Sequence, residues 1–230
     1  MRRIILSRKG FDSSSGGVAS PIFSDGRLCS LPIPFSGPAP DKFQDVSVNG
    51  IRCVHALKES KAKSKPGDNC HYDPNLETGL FGQASSSQSE LRNNQVGPGD
   101  LFLFFGWFKN YSKKGRDLHH IFGWLQIDKI IDGNRAIQKY FKNKKTPHKC
   151  FGHFKKTHND LVLTKDHATR SVWQLPKKYF ANSDPFLNRL KWIDKNECIT
   201  HCKGRGQEYI MDVTNHPKLI RWLHHIFQGN

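Results

Sequence analysis

Long apolar runs are missing from this 230-residue chain. No stretch approaches the roughly 18 apolar residues that a membrane-crossing helix needs, so none is expected. The N-terminus lacks a secretory apolar region, because MRRIILSRKG returns to charge after three apolar residues. A cytoplasmic protein is the expectation, with its six cysteines as reduced thiols. No two cysteines stand in C-x-x-C spacing. No GxxxxGK[ST], GxSxG, HExxH, GxGxxG, deaminase-type HxE…PCxxC or methyltransferase-type glycine loop occurs, which leaves several common nucleotide chemistries without support. Acidic residues are also scarce: 20 Asp and Glu stand against 36 Lys and Arg, and no spacing singles out a carboxylate pair.

That shortage of acid leaves a formal charge of +16 and a pI near 9.7. Such an excess attracts polyanions at long range, with nucleic acid the natural candidate and DNA ahead of RNA. The plainer alternative is a generally basic, solvated surface. Hydrophobic residues are only 36%, but 16 Phe and 5 Trp supply bulky core material. The length suits a single domain over 1–230.

The most informative stretch is residues 3–34, RIILSRKGFDSSSGGVASPIFSDGRLCSLPIP. A short apolar strand leads into Arg8 and Lys9, then Gly10, Phe11, Asp12, Ser13, Ser14, Ser15, Gly16 and Gly17. The glycines can take positive φ and let backbone N–H groups converge; the hydroxyls and cations beside them would suit a phosphate. An ordinary polar hairpin loop uses the same residue types.

Further on, residues 46–54 can carry a short strand interrupted by an Asn49-Gly50 turn. Residues 58–68, KESKAKSKPGD, form a basic, apolar-poor run that reads as an exposed, mobile insert. Residues 82–94 read as a polar surface loop. The strongest strand signal is GDLFLFFGWF at 99–108, with 118–131 as its antiparallel partner across a basic loop. Gly106 and Gly123 inside these strands suggest bulges or close backbone approach. Residues 135–145 have helical spacing, 161–163 and 206–213 read as strands, and 216–227 as a C-terminal amphipathic helix. The expected fold is α+β, mostly antiparallel sheet, with a PUA-like barrel element around the 99–131 hairpin and a C-terminal helix.

Three further groups could carry chemistry. His71 and Asp73, in CHYDPN, could form an oriented general base or simply cap a turn. His148, Cys150, His153 and His158, with Cys198, His201 and Cys202, are soft metal ligands, but their spacing fits no standard zinc pattern and no metal is assigned. Arg205 and Gln207 could present a donor fork to a base edge or phosphate beside Glu208; a buried Arg–Glu pair fixing the strand fits equally well.

Five pieces of the chain together resemble one family. ILSRKGFDSSSGGVASPIFSDGRLCSLPIP is similar to the opening of the third nucleotide-modification-associated domain family of bacteria and tailed phages. HYDPNL at 71–76, GDLFLFFGWF followed by HHIFGWLQI, SVWQLPKKYF at 171–180 and GRGQEYIMDV at 204–213 follow in that family's order. The segment at 159–171 is shorter here, and the lysine-rich insert near 58–67 departs from the pattern. The resemblance implies a base- or nucleotide-modification role in a bacterial or phage-infected cell, with no defined reaction or cofactor. It carries over Arg8, Lys9, Asp12, Ser13, Ser14, Ser15, His71, Asp73, Trp173, Arg205, Gln207 and Glu208. On this reading Asp12, His71 and Asp73 are catalytic, and the others bind a nucleotide or nucleic acid. The alternative is a non-enzymatic binder of modified nucleic acid with a PUA-like pocket.

Overall fold

The computed structural model describes residues 2–36, 41–72, 74–76, 79–83, 85–114, 118–132, 136, 139, 161–164, 199–201 and 208–213. In chain order the elements are β1 (Arg3–Arg8), β2 (Ser20–Pro21), β3 (Ile33–Pro34), β4 (Asp41–Lys42), β5 (Ser47–Val48), β6 (Ile51–Arg52), α1 (Cys53–Ser60), β7 (Asn69–His71) and β8 (Leu80–Gln83). Then come α2 (Ser85–Asn93), β9 (Leu101–Lys109), β10 (Leu118–Gln126), β11 (Lys129–Asp132), β12 (Leu161–Thr164), β13 (Ile199–His201) and β14 (Glu208–Asp212).

The aromatic run LFLFFGWFK becomes β9, an inner strand of the main sheet, whose order is β10-β9-β1-β14-β13. Leu103 and Phe105 on one face, and Phe102, Phe104 and Phe108 on the other, are all buried. Burial on both faces explains a near-continuous apolar run where one-sided strands alternate. β1 is likewise buried at Ile4, Ile5 and Leu6. It lies parallel to β9, Ile4 opposite Leu101 and Arg8 opposite Phe105, and antiparallel to β14, Arg3 opposite Asp212 and Ser7 opposite Glu208. Where β1 leaves the sheet, β2 takes its place against Phe108 and Lys109.

β9 and β10 form the expected antiparallel hairpin, with a register shift between Ile121 and Gly123. A Cβ on Gly123 would lie 2.3 Å from a Leu76 methyl, so the missing side chain there lets Leu76 reach the core. The smaller sheets are β11-β12-β8, β3-β7-β4 and the β5-β6 hairpin. Phe81 of β8 meets Phe102 and Phe104 edge-on at 5.0 Å, which builds the larger core between that sheet and the main one. A second core gathers Phe11, Leu31, Phe43, Val46 and Leu57 with Cys29, Cys53 and Cys70. Cys29 and Cys53 are free thiols; the adjacent Cys29 thiol and burial push the Cys53 thiol up, which keeps it protonated.

Several expectations change. Strand outweighs helix among the described residues, and the central pair β1-β9 is parallel beside antiparallel β1-β14 and β9-β10, so the main sheet is mixed where a mostly antiparallel one is the expectation. The hairpin belongs to an open sheet order, and no closed barrel forms among the described residues. The polar stretch 82–94 contains helix α2, which buries Gln88 and Leu91, three residues apart on one face. Residues 53–60 are helical because Cys53, Ala56, Leu57 and Ser60 make a buried stripe of small and apolar side chains. The basic run begins on that helix. Lys61 caps it in the left-handed region, φ 55°, its N–H donating to the Leu57 and Lys58 carbonyls, and Asp68 accepts the Lys65 N–H at 2.7 Å. The helices expected at 135–145 and 216–227 lie outside the described residues, apart from isolated helical positions 136 and 139.

One carboxylate fastens the start of the main sheet. Asp100 accepts the N–H groups of Arg2 at 3.0 Å, Arg3 at 2.8 Å and Gly97 at 3.1 Å, and the Arg3 guanidinium lies 3.6 Å away. Asp100→Ala would leave these partly buried donors without their acceptor, a loss on the order of 2–4 kcal/mol. Urea unfolding should show a lower midpoint with an unchanged slope; a loss below about 1 kcal/mol would mean that the carboxylate is not the fastening.

Candidate functional site

β1 does not end cleanly at Arg8. The Lys9 N–H still donates to the Phe105 carbonyl at 2.9 Å, so the pleat continues one residue further. Successive side chains alternate between faces, which sends Ser7 and Lys9 inward and Arg8 outward. The two cations of the SRKG segment therefore do different things. Arg8 is exposed, whereas Lys9 is buried.

Inside, Lys9 Nζ lies 3.3 Å from Glu208 Oε1, their side chains 7% and 1% exposed. Ser7 Oγ donates to the same oxygen at 3.0 Å, and Gln83 Nε2 is a third donor to it. The Lys9 ammonium also sits 4.8 Å from the centroid of the Phe81 ring. Gly106 makes room for this arrangement, since a Cβ there would stand 2.7 Å from the Lys9 carbonyl oxygen. Burying two charges costs desolvation that only close pairing and satisfied hydrogen bonds offset. Lys9, Ser7 and Gln83 all reach one glutamate oxygen, and these bonds offset part of that cost.

Outside, the loop folds over Phe11, which is buried edge-on against Phe43 with centroids 6.0 Å apart. Gly16, at φ 91°, has no side chain because the Phe11 ring occupies that space, 2.3 Å from where a Cβ would be. Backbone N–H groups converge as the glycine pattern suggests, but on an anion that the loop itself supplies. Asp12 Oδ1 accepts the N–H groups of Ser14 at 2.8 Å and Ser15 at 2.6 Å, plus the Ser14 hydroxyl at 2.8 Å. The Gly17 N–H donates to the Asp12 carbonyl at 2.9 Å, and the Arg8 guanidinium lies 3.6 Å from the Asp12 carboxylate. Arg8, Ser13 and Ser14 remain exposed at the rim.

The structure thus brings Lys9 and Glu208 together, and Arg8 with Asp12, Ser14 and Ser15 around the same turn. His71 lies on β7, opposite Ile33 of β3, with its ring 6.1 Å from Phe35, in a different sheet from the ion pair. Asp73, Trp173, Arg205 and Gln207 lie outside the described residues, as do His148, Cys150, His153, His158, Cys198 and Cys202. For His201 only the backbone, in β13, is described. Sequence reasoning missed Ser7 and Gln83. Both are polar residues at the ends of otherwise apolar strands, IILS and LFGQ, and that break was the available signal.

A double-mutant cycle tests the pair. Lys9→Met or Glu208→Gln alone should each destabilise by roughly 3–5 kcal/mol, because each strands the other's polar group in the core. The double variant should cost less than the sum by at least about 1 kcal/mol, read from urea unfolding. Simple additivity would show that the two do not interact.

Comparison with known proteins finds no match among curated proteins and none among solved structures. A family model does match, over residues 3–212, a span that includes both ends of the ion pair and every described strand. The chain therefore belongs to the family described as nucleotide modification associated domain 3.

Proposed function

We propose that this protein is a nucleotide- or DNA-base-modification factor that takes a phosphate-bearing substrate beside the end of β1. The observation that carries this reading is the Lys9–Glu208 ion pair, which joins residues from the first and last of the family-like segments. Arg205 and Gln207 stand three residues and one residue before Glu208. The ion pair brings polar groups from those two segments into one region.

On this reading the residues divide the work. Asp12 organises the loop by holding its own N–H groups, which turns Arg8 and the Ser13 hydroxyl outward as the groups that meet a phosphate. Arg205 and Gln207 orient the nucleotide through a donor fork, and Trp173 offers a ring for stacking. His71, with Asp73 two residues on, is the general base. Lys9 and Glu208 are positioning residues, buried and acting through the loop and the strand that they join. A binder without catalysis, holding modified nucleic acid, would use the same basic rim.

The experiment is nucleoside mass spectrometry of DNA from cells that carry the gene and its variants. Asp12→Ala, His71→Ala and Arg205→Ala should each lower the modified base at least about tenfold, the scale of losing one positioned acid–base or orienting group. If all three leave the base unchanged, the catalytic reading is wrong. Discrimination between modified and unmodified DNA by those same variants would then identify the binder.

A further inference from the structure

We propose that helix α1 and the loop of the β9-β10 hairpin together form a docking platform for the phosphate backbone of duplex DNA. The proposal rests on the reading that the partner is nucleic acid, and adds where the backbone lies. Two lysine runs are involved: Lys58, Lys61, Lys63 and Lys65 on and after α1, and Lys113 and Lys114 in the hairpin loop. All six are exposed.

The packing around β2 places the runs side by side. β2 pairs with Phe108 and Lys109 at the end of β9, and α1 packs on β2. The Tyr111 hydroxyl donates to the Ala19 carbonyl at 2.8 Å, which fastens the loop to the residue before β2. The Ser112 hydroxyl donates to Glu59 on α1 at 3.4 Å. The buried stripe of Cys53, Ala56, Leu57 and Ser60 faces the second core, and Arg52, His55 and Lys58 are exposed. Among the described residues of the two runs stand two carboxylates, and both have internal work: Glu59 holds Ser112, and Asp68 accepts the Lys65 N–H.

The side-chain chemistry selects the occupant. Lysine is a point charge on a flexible stem, suited to phosphate but not to bidentate reading of bases. The one aromatic ring in these two runs, Tyr111, is half-buried, with Lys109 5.6 Å from its centroid. Single-strand binders stack bases on open Phe, Tyr and Trp rings, and the described residues of these two runs offer none. A sequence-independent grip on duplex backbone fits what is there.

The test is fluorescence anisotropy of the full chain with a short labelled DNA duplex of mixed sequence, across a salt series. One variant carries Lys61→Gln, Lys113→Gln and Lys114→Gln. A control of equal charge change carries Arg2→Gln, Arg92→Gln and Lys129→Gln. Removing three phosphate-neutralising lysines from the platform should make the slope of log K against log salt shallower by about 2.7, with affinity near physiological salt falling roughly tenfold or more. The control should keep the wild-type slope. Equal weakening by both variants, a wild-type slope near zero, or tighter binding to a single-stranded oligonucleotide would each overturn the platform. Base modification, read separately through Asp12, His71 and Arg205, distinguishes failure of the platform from failure of the proposed activity.

Discussion

One buried ion pair ties the two ends of this fold together. Lys9 and Glu208 are 199 residues apart in the chain, yet they meet at 3.3 Å on neighbouring strands. Neither could be buried alone, because an unpaired charge in the interior costs several kcal/mol. The surroundings follow from that requirement. β1 pairs through Lys9, β14 begins at Glu208, and Ser7 and Gln83 donate to the glutamate. Phe81 lies against the ammonium, and Gly106 leaves space for the Lys9 backbone. Each of these residues belongs to a different strand or a different position on one, so the pair specifies how β1, β8, β9 and β14 come together. Hydrophobic burial supplies the driving force, but it is non-directional and could not by itself choose that register.

The same junction divides the N-terminal loop into an inner and an outer half. Inside, charge is neutralised and dry. Outside, the Asp12 carboxylate occupies the turn made by Ser14 and Ser15, and Arg8 stands above it. The loop then runs through Ala19, where Tyr111 is bonded, into β2, on which α1 packs. Loop and lysine platform therefore share a short piece of backbone. On the proposed reading, a duplex gripped by the lysines would lie beside the groups that meet a nucleotide phosphate.

Much of the local structure was legible. The aromatic run gave a central strand, its partner gave the hairpin, and Gly123 marked a bulge. The parallel pairing of β1 with β9 was not legible, since a strand buried on both faces carries no pattern that names its neighbour. Nor were helices α1 and α2. In α1 the buried stripe is partly Cys, Ala and Ser, and among the described side chains of α2 the buried ones are a glutamine, Gln88, and Leu91, so neither looks amphipathic on apolar residues alone. At the site, Lys9 and Glu208 stood out as polar residues, but their inward direction depended on β1 pairing one residue beyond Arg8. That single residue of pairing decides which of two adjacent cations meets solvent.

Native-state hydrogen exchange on the Lys9→Met protein tests this most directly. If the ion pair joins the ends of the chain, amide protection in β1 and β14 should fall together by on the order of a hundredfold, while the β5-β6 hairpin keeps its own. Unchanged protection in β14 would contradict the account, because the strand would then be held without its partner from the other end of the sequence.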